Sequence, residues 1–143
     1  MQSSSSLPWW LNLYAPIGSD KRYKKGIFFS KGILRALSLH PVSSWIIEGD
    51  FNCNLGNIDV EHGSGLQQKN CSQLADLIKT KKLIDVFRAI NPISKEFTFF
   101  RRTGAPSRLD RFYLSPTLIL KVVQVGHVAS LSDHCGVVME LTL

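Results

Sequence analysis

The sequence predicts a mixed α/β domain, on three observations. Strand-like and helix-like segments alternate as far as Phe87 and strand-like segments cluster after it. Hydrophobic residues make up 44% of the chain and charged residues 20%, the balance of a folded protein with one core. A length of 143 residues suits one domain and is short for two.

Trp9-Trp10-Leu11-Asn12-Leu13-Tyr14 is rich in strand formers and is stopped by Pro16 and Gly18. Lys21 to Leu39 reads as a helix, with Ile27, Leu34 and Leu37 spaced for one face; Gly26 and Gly32 weaken its regularity, and His40-Pro41 ends it. Ser44 to Glu48 is a short apolar strand that runs into Gly49-Asp50-Phe51-Asn52, and Asn54 to Gly65 is a polar loop. Gln67 to Lys81 reads as a second helix with Cys71, Leu74 and Ile78 on one face. Phe97 to Phe100 and Arg108 to Leu114 have strand character and are joined by Thr103-Gly104-Ala105-Pro106, which suggests a hairpin. Two more strands, Val122 to Val128 and Val137 to Leu141, flank a polar turn at Ser130 to His134. The ordered domain is expected over residues 9–143, after a disordered tail over 1–8.

No apolar run approaches the length of a membrane span, so no membrane partner is expected. The start, Met1-Gln2-Ser3-Ser4-Ser5-Ser6, has no apolar stretch of the secretory kind, which points to an intracellular, nuclear or cytoplasmic protein. Lys21-Arg22-Tyr23-Lys24-Lys25 is a weak candidate nuclear signal. Cys53, Cys71 and Cys135 are odd in number and lack C-x-x-C spacing, so they read as reduced, mostly buried thiols. A net charge of +6 fits simple solubility and a polyanionic partner such as nucleic acid equally well.

Three polar clusters lie at strand ends, where open α/β sheets place ligands. In Gly49-Asp50-Phe51-Asn52 the strand period puts Asp50 and Asn52 on one face and Phe51 toward the core. The glycine would let a bulky group approach the backbone. An ionised Asp50 can hold or deprotonate water, and a neutral Asn52 can donate to a phosphate oxygen without adding negative charge. The same residues also suit a plain Asx turn. Ser132-Asp133-His134 are ordinary turn residues and, being adjacent, are not a serine-hydrolase triad. In Ser107-Arg108-Leu109-Asp110-Arg111-Phe112, Asp110 could buttress a histidine on a neighbouring strand or be a surface carboxylate paired with arginine.

The order of these clusters carries more than each alone. Asn12-Leu13-Tyr14-Ala15-Pro16, Gly49-Asp50-Phe51-Asn52, Leu83-Ile84-Asp85-Val86-Phe87-Arg88, Phe97-Thr98-Phe99, Ser107-Arg108-Leu109-Asp110-Arg111 and Ser132-Asp133-His134 follow one another along the chain. In this series the sequence resembles the endonuclease/exonuclease/phosphatase superfamily, closest to the apurinic-type endonuclease domains of non-LTR (LINE-type) retrotransposons. The resemblance runs from Trp9 onward.

It implies metal-assisted hydrolysis of DNA phosphodiesters with Mg²⁺ or Mn²⁺. Tyr14 would donate to the scissile phosphate, Asp50 would position or activate water, and Asn52 would bond the phosphate. His134 would donate to a non-bridging oxygen, oriented by Asp110, with Asp133 at the metal and Thr98 and Ser132 as supporting hydroxyls. Arg101, Arg102, Arg108 and Arg111 would track the DNA backbone or, on a plainer reading, form a solvated hairpin face.

Two departures from the family pattern stand out. Ile17 occupies a position that is usually polar, which removes one phosphate contact. The family also has a half-domain before the Trp9 segment that supplies an Asn and the principal metal-binding Glu. By that resemblance the chain is the C-terminal half of a four-layer α/β sandwich. Its partner would be the missing N-terminal half-domain or a parent polyprotein that also carries a reverse transcriptase. Its sheet would then show an apolar face, and the chain alone would have no appreciable turnover. The alternatives are a non-catalytic nucleic-acid-binding remnant, the phosphatase branch of the superfamily, and a structural basic α/β module.

Overall fold

Trp45–Asp50 (β2) is the strand on which the molecule is assembled, because its alternating side chains enter two different cores. Ile47 faces a cluster with Leu13, Phe29, Leu37, Phe51, Leu74, Leu77 and Tyr113. Ile46 faces the other way, toward Val86, Phe112, Leu114 and Leu118. Both isoleucines are fully buried, and each contributes about 1.5–3 kcal/mol relative to exposure. The computed structural model describes residues 7–17, 22–41, 44–61 and 71–142.

Trp9–Tyr14 (β1) runs parallel to β2. Asp110–Leu114 (β4) lies antiparallel on the other side of β2, and the two-residue Ile84–Asp85 (β3) closes the order β1-β2-β4-β3. Helical segments cover the first core: Arg22–Ile27 (α1), a π-helical stretch Phe28–Ile33, Leu34–Ser38 (α2) and Ser72–Lys81 (α3). Val86–Ile90 (α4) follows β3 directly, its first turn capped by the Asp85 carboxylate, which accepts from Arg88 N. Over the second core lies an antiparallel pair, Val122–Val128 (β5) and Gly136–Leu141 (β6), whose Val125, Val137 and Met139 face inward. The layers are therefore helices, a mixed four-stranded sheet and a two-stranded sheet. No helix among the described residues is long and apolar enough to cross a membrane.

The expected elements are present with shifts that have physical causes. The first helix contains a π stretch of wider turns at the segment that includes Gly32, where glycine supports a regular α ladder least. The second helix begins at Ser72; residues 67–70, predicted as its first turn, lie outside the described residues, as do Gly18, Lys21, residues 62–65 of the polar loop and residues 1–6 of the tail. The predicted hairpin reduces to the single bridge Phe99↔Ser107, because β4 spends both its edges on β2 and β3. Two of the expected thiols, Cys53 and Cys71, form a disulfide with Cα atoms 5.8 Å apart, and Cys135 is free.

On the β5–β6 side of the sheet, the β1 portion is uncovered. Trp10 and Tyr14 stand there 57% and 64% exposed.

Candidate active site at the ends of three strands

The register of the sheet brings the predicted groups together. Tyr14 is opposite Asp50 across β1 and β2, and Asp50 is opposite Asp110 across β2 and β4, so the three form a row across neighbouring strands. Paired residues point to the same face of a sheet, here the face toward β5–β6. The turn between β5 and β6 brings His134 to that row. Its Nδ1 lies 2.8 Å from Asp110 Oδ2 and its Nε2 lies 3.9 Å from Asp50 Oδ2.

Each group is held by its surroundings. The Asp50 carboxylate accepts the Asn52 N–H at 2.8 Å, and its own carbonyl accepts the Ala15 N–H at 2.8 Å. Asn52 is buried in a left-handed conformation, φ 49°, and donates from Nδ2 to the Ala15 carbonyl at 2.8 Å. Gly49, φ 133°, is required by β1: a Cβ there would sit 1.9 Å from the Leu13 carbonyl oxygen. The bulky group that approaches this glycine is thus the backbone of the neighbouring strand.

Thr98 is fully buried, and its Oγ1 accepts both the Leu109 and the Asp110 N–H at 3.0 Å, which fixes the start of β4. Ser132 shapes the turn locally, donating to the His134 carbonyl at 2.9 Å and accepting its N–H at 3.0 Å. The Phe99 ring packs against the His134 ring at 4.7 Å between centroids, and Arg101 lies 5.5 Å from the Phe99 centroid. An open cleft of about 200 Å³ beside the site is lined by Asn12, Glu48, Asp110, Phe112, Cys135 and Val137 among others.

Asp50, Asp110 and His134 each present a ligand atom, all within 4.8 Å of one another. Two hard carboxylate donors and an imidazole in that space fit a divalent cation such as Mg²⁺ or Mn²⁺. Asp133 is exposed and is not in this group; its backbone carbonyl accepts the Phe100 N–H.

The four arginines separate into two pairs. Arg101 and Arg102 are exposed. Arg108 and Arg111 are each 1% exposed, which corrects the expectation that they track a nucleic-acid backbone. Arg108 bonds Asp59 through Nε at 2.8 Å and grips Asp85 with both terminal nitrogens, at 3.1 and 2.6 Å. Arg111 bonds Asp59 at 3.2 Å. Arg88 joins the network at Asp59 Oδ1, 2.8 Å away. Burial by itself would raise the Asp59 pKa; the Arg111 and Arg108 guanidiniums outweigh it and hold the carboxyl below its usual value.

Sequence reasoning missed Asp59, Lys25 and Phe99. Asp59 ends a single 3₁₀ turn, Asn57–Asp59, within the segment that reads from sequence as a polar loop, and one turn is too short to carry a periodicity. Lys25, buried and donating to the Asn52 carbonyl at 2.7 Å, stands in the sequence only as the last residue of the weak candidate nuclear signal.

Comparison with known proteins agrees with this geometry. Residues 3–134 match the Endonuclease/Exonuclease/phosphatase family. The chain belongs to that family. It is 30% identical over 139 residues to the Transposon TX1 uncharacterized 149 kDa protein of Xenopus laevis, covering 93% of this chain and 10% of that protein. Among solved structures it is similar to an AP endonuclease from Archaeoglobus fulgidus, with a TM-score of 0.80 and 23% identity. It is also similar to the 3′ phosphatase NExo from Neisseria bound to product DNA hairpin, with a TM-score of 0.83 and 19% identity. In both cases the match covers 94% of this chain and 61% of the solved one. The chain thus spans a tenth of its curated transposon relative and about three fifths of each solved member of the fold.

Proposed function

We propose that this chain carries the Asp–His side of a divalent-cation-dependent active site that hydrolyses DNA phosphodiesters, as the endonuclease module of a LINE-type transposon protein. The observation that carries the reading is the convergence of Asp50, Asp110 and His134 within 4.8 Å. Relatedness to a transposon protein and the exposed Arg101 and Arg102 beside the site support DNA as the substrate.

Asp50 and Asp110 would hold the cation, which when bound neutralises phosphate charge and lowers the pKa of water. Asp50 orients the attacking water through its carboxylate, whose rotamer the Asn52 N–H fixes. Asp110 fixes the His134 ring through Nδ1, so that Nε2 donates to a non-bridging phosphate oxygen as charge develops there. Tyr14, exposed at the end of β1, donates to the same phosphate. Asn52 uses its amide on Ala15 and contributes chiefly by shaping the loop. The carboxylates of this group number two, whereas Mg²⁺ is bound by about six oxygens in all. Further donors from the part of the fold that this chain does not span would complete the site, and turnover by the chain alone is slow.

A non-catalytic nucleic-acid-binding role is the second reading, favoured by that short donor set. Nicking of supercoiled plasmid with Mg²⁺ or Mn²⁺ separates the two. Nicking abolished both by EDTA and by His134→Ala supports the hydrolase. A folded chain that binds DNA at low salt yet never nicks supports the second reading.

A further inference from the structure

We infer that Lys25 and Arg111 are positioning residues that grip two consecutive backbone carbonyls, those of Asn52 and Cys53, and so set the geometry of the loop that follows Asp50. The inference rests on the proposed role of Asp50.

The Asp50–Cys53 segment is pulled from two sides. Lys25, from α1, donates Nζ to the Asn52 carbonyl at 2.7 Å. Arg111, from β4, donates Nη2 to the Cys53 carbonyl at 2.7 Å. Both side chains are buried, at 7% and 1% exposure, and bonds from charged donors are the strong ones in such surroundings. Between them Asn52 holds φ 49°, a left-handed conformation that asparagine tolerates better than other residues with a side chain. That conformation delivers the Asn52 N–H to Asp50 Oδ1 at 2.8 Å, so the rotamer of the Asp50 carboxylate is set by the loop that the two cations hold. Arg111 Nη2 also reaches the Arg108 carbonyl at 2.8 Å and Asp59 Oδ2 at 3.2 Å. The same guanidinium therefore ties the Asp50 loop to the strand that carries Asp110.

The test uses the full chain and two readouts that do not depend on turnover. Lys25→Met and Arg111→Lys are each compared with Arg88→Ala. The Arg88 side chain bonds Asp59 and the carbonyls of Asn91 and Ser94, all of them outside the Asp50–Cys53 segment. Amide hydrogen exchange at Asn52 should quicken by about tenfold more than at Ile46 and Ile47 in both positioning variants, and uniformly in Arg88→Ala. Affinity for Mn²⁺ alone, read from paramagnetic broadening of the His134 ring, should weaken by about tenfold in the same two variants. Lys25→Arg should restore both. Exchange at Asn52 that rises only in step with the rest of β2 would overturn the inference. If Lys25→Met does not fold, unchanged Asn52 protection in Arg111→Lys overturns it equally. A wild-type chain that binds no Mn²⁺ would instead refute the cation site, while the exchange result still decides the clamp.

Discussion

The Asp110 carboxylate holds His134 by Nδ1 at 2.8 Å, which turns the opposite ring nitrogen toward Asp50, 3.9 Å away. In the proposed site the two residues are coupled through this bond, so their losses should not simply add. Both His134→Ala and Asp110→Asn should lower plasmid nicking by about 10²–10⁴-fold. Because Asp110 would also hold the cation, the double variant should be slower than His134→Ala alone but fall well short of the product of the two single losses. Rates for all three, taken from the decay of supercoiled plasmid, provide the check; a double variant slower by the product of the two would show independent roles.

Gly49 allows no side chain. With φ at 133° and the Leu13 carbonyl where a Cβ would be, Gly49→Ala must either separate β1 from β2 or distort the loop. A loss of about 3 kcal/mol or more is expected from urea denaturation. Gly32, in the π-helical stretch with nothing near its Cβ position, should tolerate alanine with little change.

The buried network gives the fold an acid-sensitive point. Asp59 has a folded pKa held below the unfolded value near 3.8, so its contribution is complete at neutral pH and is lost as pH falls below that value. The urea midpoint of the wild type should therefore drop between about pH 5 and pH 3 more steeply than that of Asp59→Asn. At neutral pH the same substitution leaves buried arginines undercompensated and should cost about 3–5 kcal/mol.

Only the exposed arginines should read a phosphate backbone. Replacing Arg101 and Arg102 together by alanine should lower the slope of log affinity against log salt by about 0.9 for each phosphate that the pair neutralises, with circular dichroism unchanged. An unaltered slope would place the DNA elsewhere on the surface.

The Cys53–Cys71 bridge closes a separation of 18 residues and ties the end of the Asp50 loop to the start of α3. Reduction, or a Cys53→Ser/Cys71→Ser pair, should cost about 3 kcal/mol on loop entropy. Thermal unfolding with and without a thiol reductant would measure it.

The elements whose periodicity matched their burial were legible from sequence. β1 and β5 have the predicted bounds, and Phe51 enters the core while Asp50 points to the site. The grouping of Asp50, Asp110 and His134 was legible as an ordered series of motifs. Arg108 and Arg111 were misread because an arginine beside an aspartate in a strand carries no local mark of burial; their partners Asp59 and Asp85 come from two other segments. The disulfide was hidden for a similar reason, since an odd cysteine count does not say which two sulfurs meet. Lys25 shows the limit most clearly. Its neighbour Lys24 is exposed, and only the packing of α1 against the Asp50 loop separates the two.

The row Tyr14–Asp50–Asp110 joins folding to chemistry. Because a strand presents alternate residues to opposite faces, a slip of one residue in either pairing would send a carboxylate into the helical core and bring an apolar side chain to the cleft. Correct alignment of three strands and assembly of the proposed active site are therefore the same condition. A single inserted or deleted residue within Trp45–Asp50 should abolish both at once, and no partly aligned form of the chain should retain a weakened version of the chemistry.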